Sequence, residues 1–419
     1  LSTRELIREW QRALELNHPV LIIATPTFFY LPRTDIRTII VDRENTQAYK
    51  ASQRPFLDYR RFAEYLAKTM QATFVLGDNV LRTETAYRAD QGEMEPLASL
   101  KHHASSNATQ TLIPFKKVPS VEFQIISDEL LRIITEAQIK NEQIFLFTHR
   151  RGLAPVVICQ DCGDTVECDN CEAPTVLHPA SSTTENADGS ATIFVCHRCG
   201  ARRSAAEKCR RCGGWRLLEL GIGIDRVARE LEHHFPVLRL FKLDSDSVRG
   251  GAIPLTVIKH FLGTPGSVLL GTEMALYYLK ERVENVAVVA LDSLFALPDY
   301  RVNEKIFSLL IRLRALAGKR FIIQTRNVKV DLFEKALKGN LLDFYRTEIA
   351  ERKQYGYPPF QIFIKVTLRG KRGPVRLAMK ALADELAAYE PEVFPAFVPV
   401  VAGEYQIHLL IKRRITDWP

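Results

Sequence analysis

The 419-residue chain holds no apolar run close to the ~18 residues that a membrane helix needs, so nothing in it reads as a span. Its first residues, LSTRELIREW, form a polar helical pattern and lack the apolar core of a secretory signal. They also lack an initiator Met, as expected of a fragment of something longer. No internal repeat and no Gly-x-x-x-x-Gly-Lys-[Ser/Thr] phosphate loop occur. Cysteine is missing everywhere except residues 159–212, where all eight lie. Disulfides belong to secreted chains and no export signal is present, so a metal-binding role is expected of the cysteines over a disulfide framework, in a cytoplasmic setting.

Hydrophobic residues make up 46% of the chain, enough for two or three domain cores. Net charge is +8, unevenly spread: residues 301–419 carry 22 Lys/Arg against 12 Asp/Glu, or +10, which leaves −2 for the rest. That excess suits a polyanionic partner, and a solvated basic face equally. Residues 3–15 read as an amphipathic helix, "PVLIIAT" and "TIIVD" as buried strands, "FAEYLAKTM" as a helix and "ATFVLG" as a third strand. Residues 88–119 are polar and aperiodic, a linker. Strands and helices resume with "SVEFQII", "ISDELLRIITEAQIK" and "QIFLFT", and after the cysteine block with "IDRVARELEHHF", "VLRLFKL", "SVLLGT", "VAVVALD" and "RFIIQT". The alternation predicts an α/β fold with a parallel sheet. From residue 341 a charged helix, "YPPFQIFIKVTLRG", a later helix and "EYQIHLLIK" make a small α+β unit.

The cysteines form four Cys-x-x-Cys knuckles: Cys159/Cys162, Cys168/Cys171, Cys196/Cys199 and Cys209/Cys212. Two intervening residues let a tight turn aim both thiolates at one tetrahedral Zn²⁺, and glycines follow Cys162, Cys199 and Cys212. Eight thiolates fill two closed sites, so two structural Zn²⁺ are expected and no metal-assisted hydrolysis. Spacing leaves three ways to pair the knuckles. A hairpin folded back on itself favours nesting, with Cys159, Cys162, Cys209 and Cys212 on one ion and Cys168, Cys171, Cys196 and Cys199 on the other. His178 and His197 are then surplus to coordination.

"THRRGLAPVVICQDCGDTVECDNC" at 148–171 and "VCHRCGARRSAAEKCRRCG" at 195–213 resemble the zinc insertion of the primosomal protein N′ family, the PriA replication-restart helicases, which follows an "NRRGYAP" turn. "GIGIDRVARELEHHFPVLRLFKLDSDS", "VLLGTEMA", "LDSLFALPDYRVNEKIFSLL" and "FYRTEIAERKQYGYPPF" resemble further family segments, so the likeness covers nearly the whole chain. It implies RecA-like lobes of a superfamily 2 helicase, with the zinc insertion in the second lobe and a small α+β C-terminal domain. On that plan residues 1–110 are the later part of lobe 1 with a linker, 111–157 begin lobe 2, 158–215 are the insertion, 216–340 complete lobe 2 and 341–419 are the C-terminal domain. The resemblance further implies ATP with Mg²⁺, forked or single-stranded DNA, single-stranded-DNA-binding protein and other primosome proteins as partners, and a monomer.

Against the family's motor motifs the chain departs. "VDREN" resembles the family's "IDEEH": the resemblance implies that Asp42 would hold Mg²⁺, but the general-base position is Arg43, which accepts no proton at neutral pH. Glu44 is kept; Asn45 replaces a histidine. "GDNVLR" at 77–82 stands for "GSATPS", and "GTEMALYYLKERV" for "GTQMIAKGHDF", with Tyr277, Tyr278 and Leu279 where Lys-Gly-His would sit. "RLRALAGK" at 312–319 stands for "QVAGRAGR", placing Leu316 and Lys319 where arginines would stabilise the transferred phosphoryl group, an effect of about 10³–10⁵ in rate. No catalytic set is intact, and ATPase and helicase activity are expected to be lost. "YKASQRPFLDYRRF" resembles the family's aromatic-rich loop, which makes Tyr49, Lys50, Phe56, Tyr59 and Arg60 candidates for stacking on bases and meeting phosphates, with Arg150 and Arg151 as backbone contacts. "RGKRGPVR" at 369–376 reads as a basic loop suited to phosphates. Asp244 and Asp246 carry no metal-site spacing. The expected function is a DNA- and partner-binding protein of replication restart; the alternatives are an active 3′–5′ helicase using Asp42 and Glu44, and a zinc-braced scaffold that does not bind DNA.

Overall fold

The structure is a computed structural model and describes all residues except 1, 52, 54–55, 98–105, 116–123, 150–155, 160–165, 170–174, 180–191, 197–200, 205–207, 210–212, 215–216, 221–223, 250, 252, 298, 327–329, 402, 415 and 417–419. The chain divides into two compact units, Leu1–Glu95 and Pro96–Pro419.

The first unit opens with helix α1 (Thr3–Glu15), fixed by a capping box in which Ser2 Oγ accepts from the Glu5 N–H and the Glu5 carboxylate accepts from the Ser2 N–H. Strands β1 (Thr38–Asp42) and β2 (Thr73–Gly77) pair in parallel, connected through α2 (Tyr59–Met70); α3 (Thr83–Asp90) follows. Alternation in β1 buries Ile39 and Val41 against Ala63 and Ala67 of α2 and leaves Ile40 60% exposed. The strand expected at "PVLIIAT" is not formed. Residues 19–25 carry no strand, and Leu21 and Ile23 are 80% and 88% exposed. An apolar run becomes a strand only where a neighbour pairs its backbone, and the sheet of this unit is a two-stranded one that excludes it.

The second unit is built on a six-stranded sheet, all of its pairings parallel, in the order β10–β11–β4–β12–β13–β3. Its elements run β3 (Thr109–Pro114), α4 (Asp128–Ile139), β4 (Ile144–Thr148), then after the cysteine block α5 (Ile224–His234), β10 (Leu240–Leu243), α6 (Ser245–Arg249), α7 (Pro254–Leu262), β11 (Val268–Gly271), α8 (Ala275–Tyr278), β12 (Val283–Ala290), α9 (Val302–Leu316) and β13 (Ala317–Thr325). β4 is buried at every position, as a central parallel strand covered on both faces must be. One continuous core joins Ile144 and Leu146 of β4 to Leu130 and Ile134 of α4 and to Val227 and Leu231 of α5. The linker expected over 88–119 conceals β3, an edge strand in register with Arg320–Thr325 of β13. Its sequence, TQTLIP, has too few apolar positions to announce a strand. "SVEFQII" yields no strand in its described part. Ile125 and Ile126 are buried instead and donate their N–H groups to the Glu230 carboxylate on α5.

Between β4 and α5 the cysteine block contributes β5 (Val156–Cys159), β6 (Val176–Pro179), β7 (Thr192–Val195), β8 (Arg202–Ser204) and β9 (Leu217–Leu220). β5 pairs antiparallel with β9, and β6, β7 and β8 form a second antiparallel sheet. Beyond the six-stranded sheet, α10 (Asp331–Lys338) and α11 (Leu341–Gln354) lead to β14 (Gln361–Gly370), α12 (Arg372–Glu385), β15 (Glu392–Val401) and β16 (Glu404–Arg414). These last three strands form an antiparallel sheet in the order β14–β16–β15, one face of it packed on α12 through Val375 and Met379. β15 carries Pro395 and its register is broken there, which an edge strand tolerates. The basic stretch expected as a loop at 369–376 is the junction of β14 and α12. Pro374 falls in the helix's first turn, where the lost N–H has no partner to lose.

Candidate functional site

β1 delivers Asp42 to its carboxyl end, exposed to solvent. Arg43 then adopts φ +52°, a left-handed turn that swings the chain so that the Glu44 N–H donates to the Gly77 carbonyl at 3.0 Å. The turn directs Glu44 inward. Its side chain is 1% exposed, one carboxylate oxygen accepts from the Arg82 N–H at 2.8 Å, and the other accepts from the Thr85 hydroxyl at 2.8 Å. Burial pushes the Glu44 carboxyl above the ordinary glutamate range, against the pull of those two donors. Glu44 thus anchors the start of α3. Asn45 completes the brace, its N–H on the Asp78 carboxylate and its side-chain amide on the Val80 carbonyl. A Mg²⁺–nucleotide centre of the motor type needs a second, solvent-facing carboxylate beside Asp42, and Arg43 and Glu44 do not supply it. Replacing Glu44 by Ala should destabilise the chain by about 1–3 kcal/mol, because the buried Arg82 N–H and Thr85 hydroxyl lose their acceptor; chemical unfolding of the two proteins measures it.

The positions aligned with phosphoryl-stabilising arginines are also engaged within the second unit. Leu316 ends α9 half-buried, and Lys319 Nζ lies 2.9 Å from the Glu142 carboxylate, which also accepts from Asn285. Arg320 beside it bonds Asn285 and Glu136. The partner Glu142 lies far from Lys319 in sequence and had no motif to announce it. At the carboxyl ends of the sheet, Gly271 permits α8 to start against β11: a Cβ there would sit 2.7 Å from that of Ala275 and 3.1 Å from the Phe145 ring. Asp244, buried at the end of β10, bonds Ser247 and shapes the first turn of α6. Tyr277 on α8 is exposed beneath the Arg312 guanidinium at 5.9 Å.

The aromatic segment splits into two groups. Tyr49 packs on the first unit's core, and its hydroxyl donates to the Asp42 carbonyl at 2.8 Å. Arg60 is 5% exposed, forked onto Asp58 and donating to the Glu44 and Thr46 carbonyls, so it serves as an internal strut and withholds its charge from solvent. Tyr59, at the first position of α2, is half-buried. Lys50 and Phe56 are exposed, Phe56 by 61%. Arg150 and Arg151 lie outside the described residues.

In the cysteine block the first residue of each knuckle is described and the second, Cys162, Cys171, Cys199 and Cys212, lies outside. Cys159, Cys168 and Cys196 are buried and Cys209 is partly so. Two knuckles close in the same way: the Cys196 N–H donates to the Ala201 carbonyl at 2.8 Å, and the Cys209 N–H donates to the Gly214 carbonyl at 2.7 Å. In the second, Gly213 takes φ +72°. Cys168 and Cys196 pack into one buried cluster, and β5 places Cys159 opposite Leu217, just past the Cys209 turn. Buried thiols and the two matching turns fit the donor set of tetrahedral zinc. Among the described residues alone no group of three ligands meets.

The second unit is therefore an open parallel α/β fold whose motif-bearing residues cluster at strand ends, with a cysteine-knuckle block inserted after β4. No family model matches the chain. Curated relatives named replication restart protein PriA do: that of Treponema pallidum is 28% identical over 432 residues, covering 98% of this chain and 62% of the relative. The Bacillus subtilis relative is 27% identical over 377 residues (88% and 45%), and the Thermotoga maritima relative 26% over 412 (96% and 54%). These relatives support placing the chain with the PriA family. It spans about half the length of the curated relatives it matches. Among the described residues no helix is long and apolar enough to cross a membrane.

Proposed function

We propose that the chain is the PriA-type body of a replication-restart protein, one that engages forked or single-stranded DNA and primosome partners without hydrolysing ATP. The two units would correspond to helicase lobes, the cysteine block to a two-zinc insertion, and residues 341–419 to a C-terminal domain. Cys159, Cys162, Cys209 and Cys212 would hold one Zn²⁺, and Cys168, Cys171, Cys196 and Cys199 the other; the metal supplies a rigid tetrahedral brace, and the knuckle turns orient the thiols. Lys50 and Phe56 are the solvent-facing candidates for DNA. A cytoplasmic, monomeric protein fits this reading.

The observation that carries the loss of hydrolysis is the β1 terminus: Arg43 stands at the base position and Glu44 is committed to the α3 anchor. A rival reading, an active helicase, draws on Asp42 alone, which keeps its exposed place at the strand end. DNA-stimulated ATP turnover decides between them. On the full-length protein with forked DNA, turnover should fall at least about 10³-fold below an active PriA assayed in parallel, because both the base and the charge clamp are absent. DNA-dependent turnover near the active rate, abolished by Asp42→Ala, would establish the rival.

A further inference from the structure

His149 follows β4 directly, and Glu273 stands two residues past the end of β11, the adjacent strand. The family turns quoted above, "NRRGYAP" and "GTQM", hold amides at these two places; this chain reads "HRRG" and "GTEM", so a neutral pair has become a titratable one. The structure brings the two side chains together, His149 Nδ1 lying 3.9 Å from a Glu273 carboxylate oxygen. Among the described residues neither ring nitrogen of His149 has a hydrogen-bond partner, although both are sealed from solvent, and the Thr148 hydroxyl beside it is likewise buried and unbonded. Charged groups on the neighbouring strand ends are otherwise occupied. Asp244 bonds Ser247, Asp292 accepts from the Thr325 hydroxyl and the Arg326 N–H, and the Arg326 guanidinium donates to the Gln124 carbonyl over the Phe115 ring. Arg150 and Arg151 adjoin His149 in sequence.

We propose that His149 and Glu273 are a proton-operated latch between the ends of β4 and β11. With a neutral ring the latch is open, and two buried nitrogens stay unbonded, which is costly. A proton on the ring turns the 3.9 Å approach into a charge-assisted bond of about 2.8 Å and ties the end of β4 to the adjacent strand end. Burial holds the ring's proton affinity below that of an ordinary histidine, while Glu273 works the other way. A depressed histidine contributes stability above its unfolded value near 6.5 and loses it as pH falls through the folded value, so the latch closes only on the acid side. Any consequence for DNA rests on the reading above; the latch itself does not.

Ring titration by NMR on the full chain tests it, with Glu273→Gln and His149→Asn as variants, each restoring the kind of residue the family turn carries. The His149 ring is expected to titrate below the ordinary histidine value in the parent, with the Glu273 carboxyl signal moving at the same midpoint. Glu273→Gln should lower the ring's proton affinity further, by about tenfold. In the parent alone, the amides of His149 and Glu273 should gain order on acidification. A midpoint unchanged by Glu273→Gln, or a Glu273 signal indifferent to the ring's titration, overturns the latch.

Discussion

Chelation of metal from the purified chain should release two Zn²⁺ and unfold the segment from β5 to β9 while the six-stranded sheet persists. Packing among the block's described residues is slight: Val157, Val166 and Phe194 form one buried cluster and Cys168 and Cys196 another, few groups against the ordering of four knuckles and two small sheets. Structural zinc contributes about 10–16 kcal/mol of apparent binding free energy in zinc-finger peptides near neutral pH, and in such modules that binding is the folding energy. The six-stranded sheet draws on a separate core through Leu130, Leu146 and Val227. Metal release followed with a colorimetric chelator, alongside circular dichroism, should show loss of β signal with the α4 and α5 helices retained. The pairing is read from a double variant. Cys168→Ser with Cys196→Ser leaves one ion if inner knuckles share a site, as the buried Cys168–Cys196 cluster suggests, and none if neighbouring knuckles in sequence pair. A chain that binds no zinc, or that keeps its full β signal after chelation, refutes the metal brace.

Strong periodicity was legible and weak edges were not. β4, β11 and β12 could be read from apolar runs because central parallel strands are buried on both faces. β3 escaped because an edge strand needs only partial burial, and "PVLIIAT" misled because composition cannot say whether a pairing partner exists. The same asymmetry governs the site. The Cys-x-x-Cys spacing carries its reading within a few residues, whereas the role of Glu44 depends on Arg82 and Thr85, and that of Lys319 on Glu142, all distant in sequence. The positive φ at Arg43 is what turns Glu44 inward, and no motif encodes a dihedral angle. Arg60 shows the limit of reading charge as function: a cation in an aromatic-rich segment became a buried strut because Asp58, two residues earlier, captures it.

Replacing Arg352 by Ala should be the most damaging single change outside the cysteine block, at about 3–5 kcal/mol. Arg352 lies on α11 within "FYRTEIAERKQYGYPPF" and is 1% exposed. Its Nε donates to Glu348 at 2.8 Å, one terminal nitrogen donates to Glu304 on α9 at 3.0 Å, and the other to the Pro358 carbonyl at 3.3 Å. Arg301 holds the second oxygen of Glu304 at 2.7 Å, and the Tyr300 ring lies 5.2 Å from the Arg352 guanidinium. Parallel stacking of Phe307 on Phe344 at 4.0 Å closes the same α9–α11 seam. Truncating Arg352 strands the Glu348 carboxylate and leaves Glu304 with Arg301 alone, both with almost no access to water, and Lys cannot substitute because one ammonium does not fork between them. The pH dependence identifies the cause. Burial already raises the Glu348 carboxyl above its ordinary range, with Arg352 pulling it back. A raised carboxyl stabilises the fold while protonated, and that contribution fades as pH rises through the folded value. Without Arg352 the rise grows, so the defect of Arg352→Ala should shrink at acid pH relative to neutral. Chemical unfolding of parent and variant near pH 5 and near pH 7.5 measures both quantities, and a loss below ~1 kcal/mol, or one equal at the two pH values, would show that the seam is held by its aromatic packing instead of its charges.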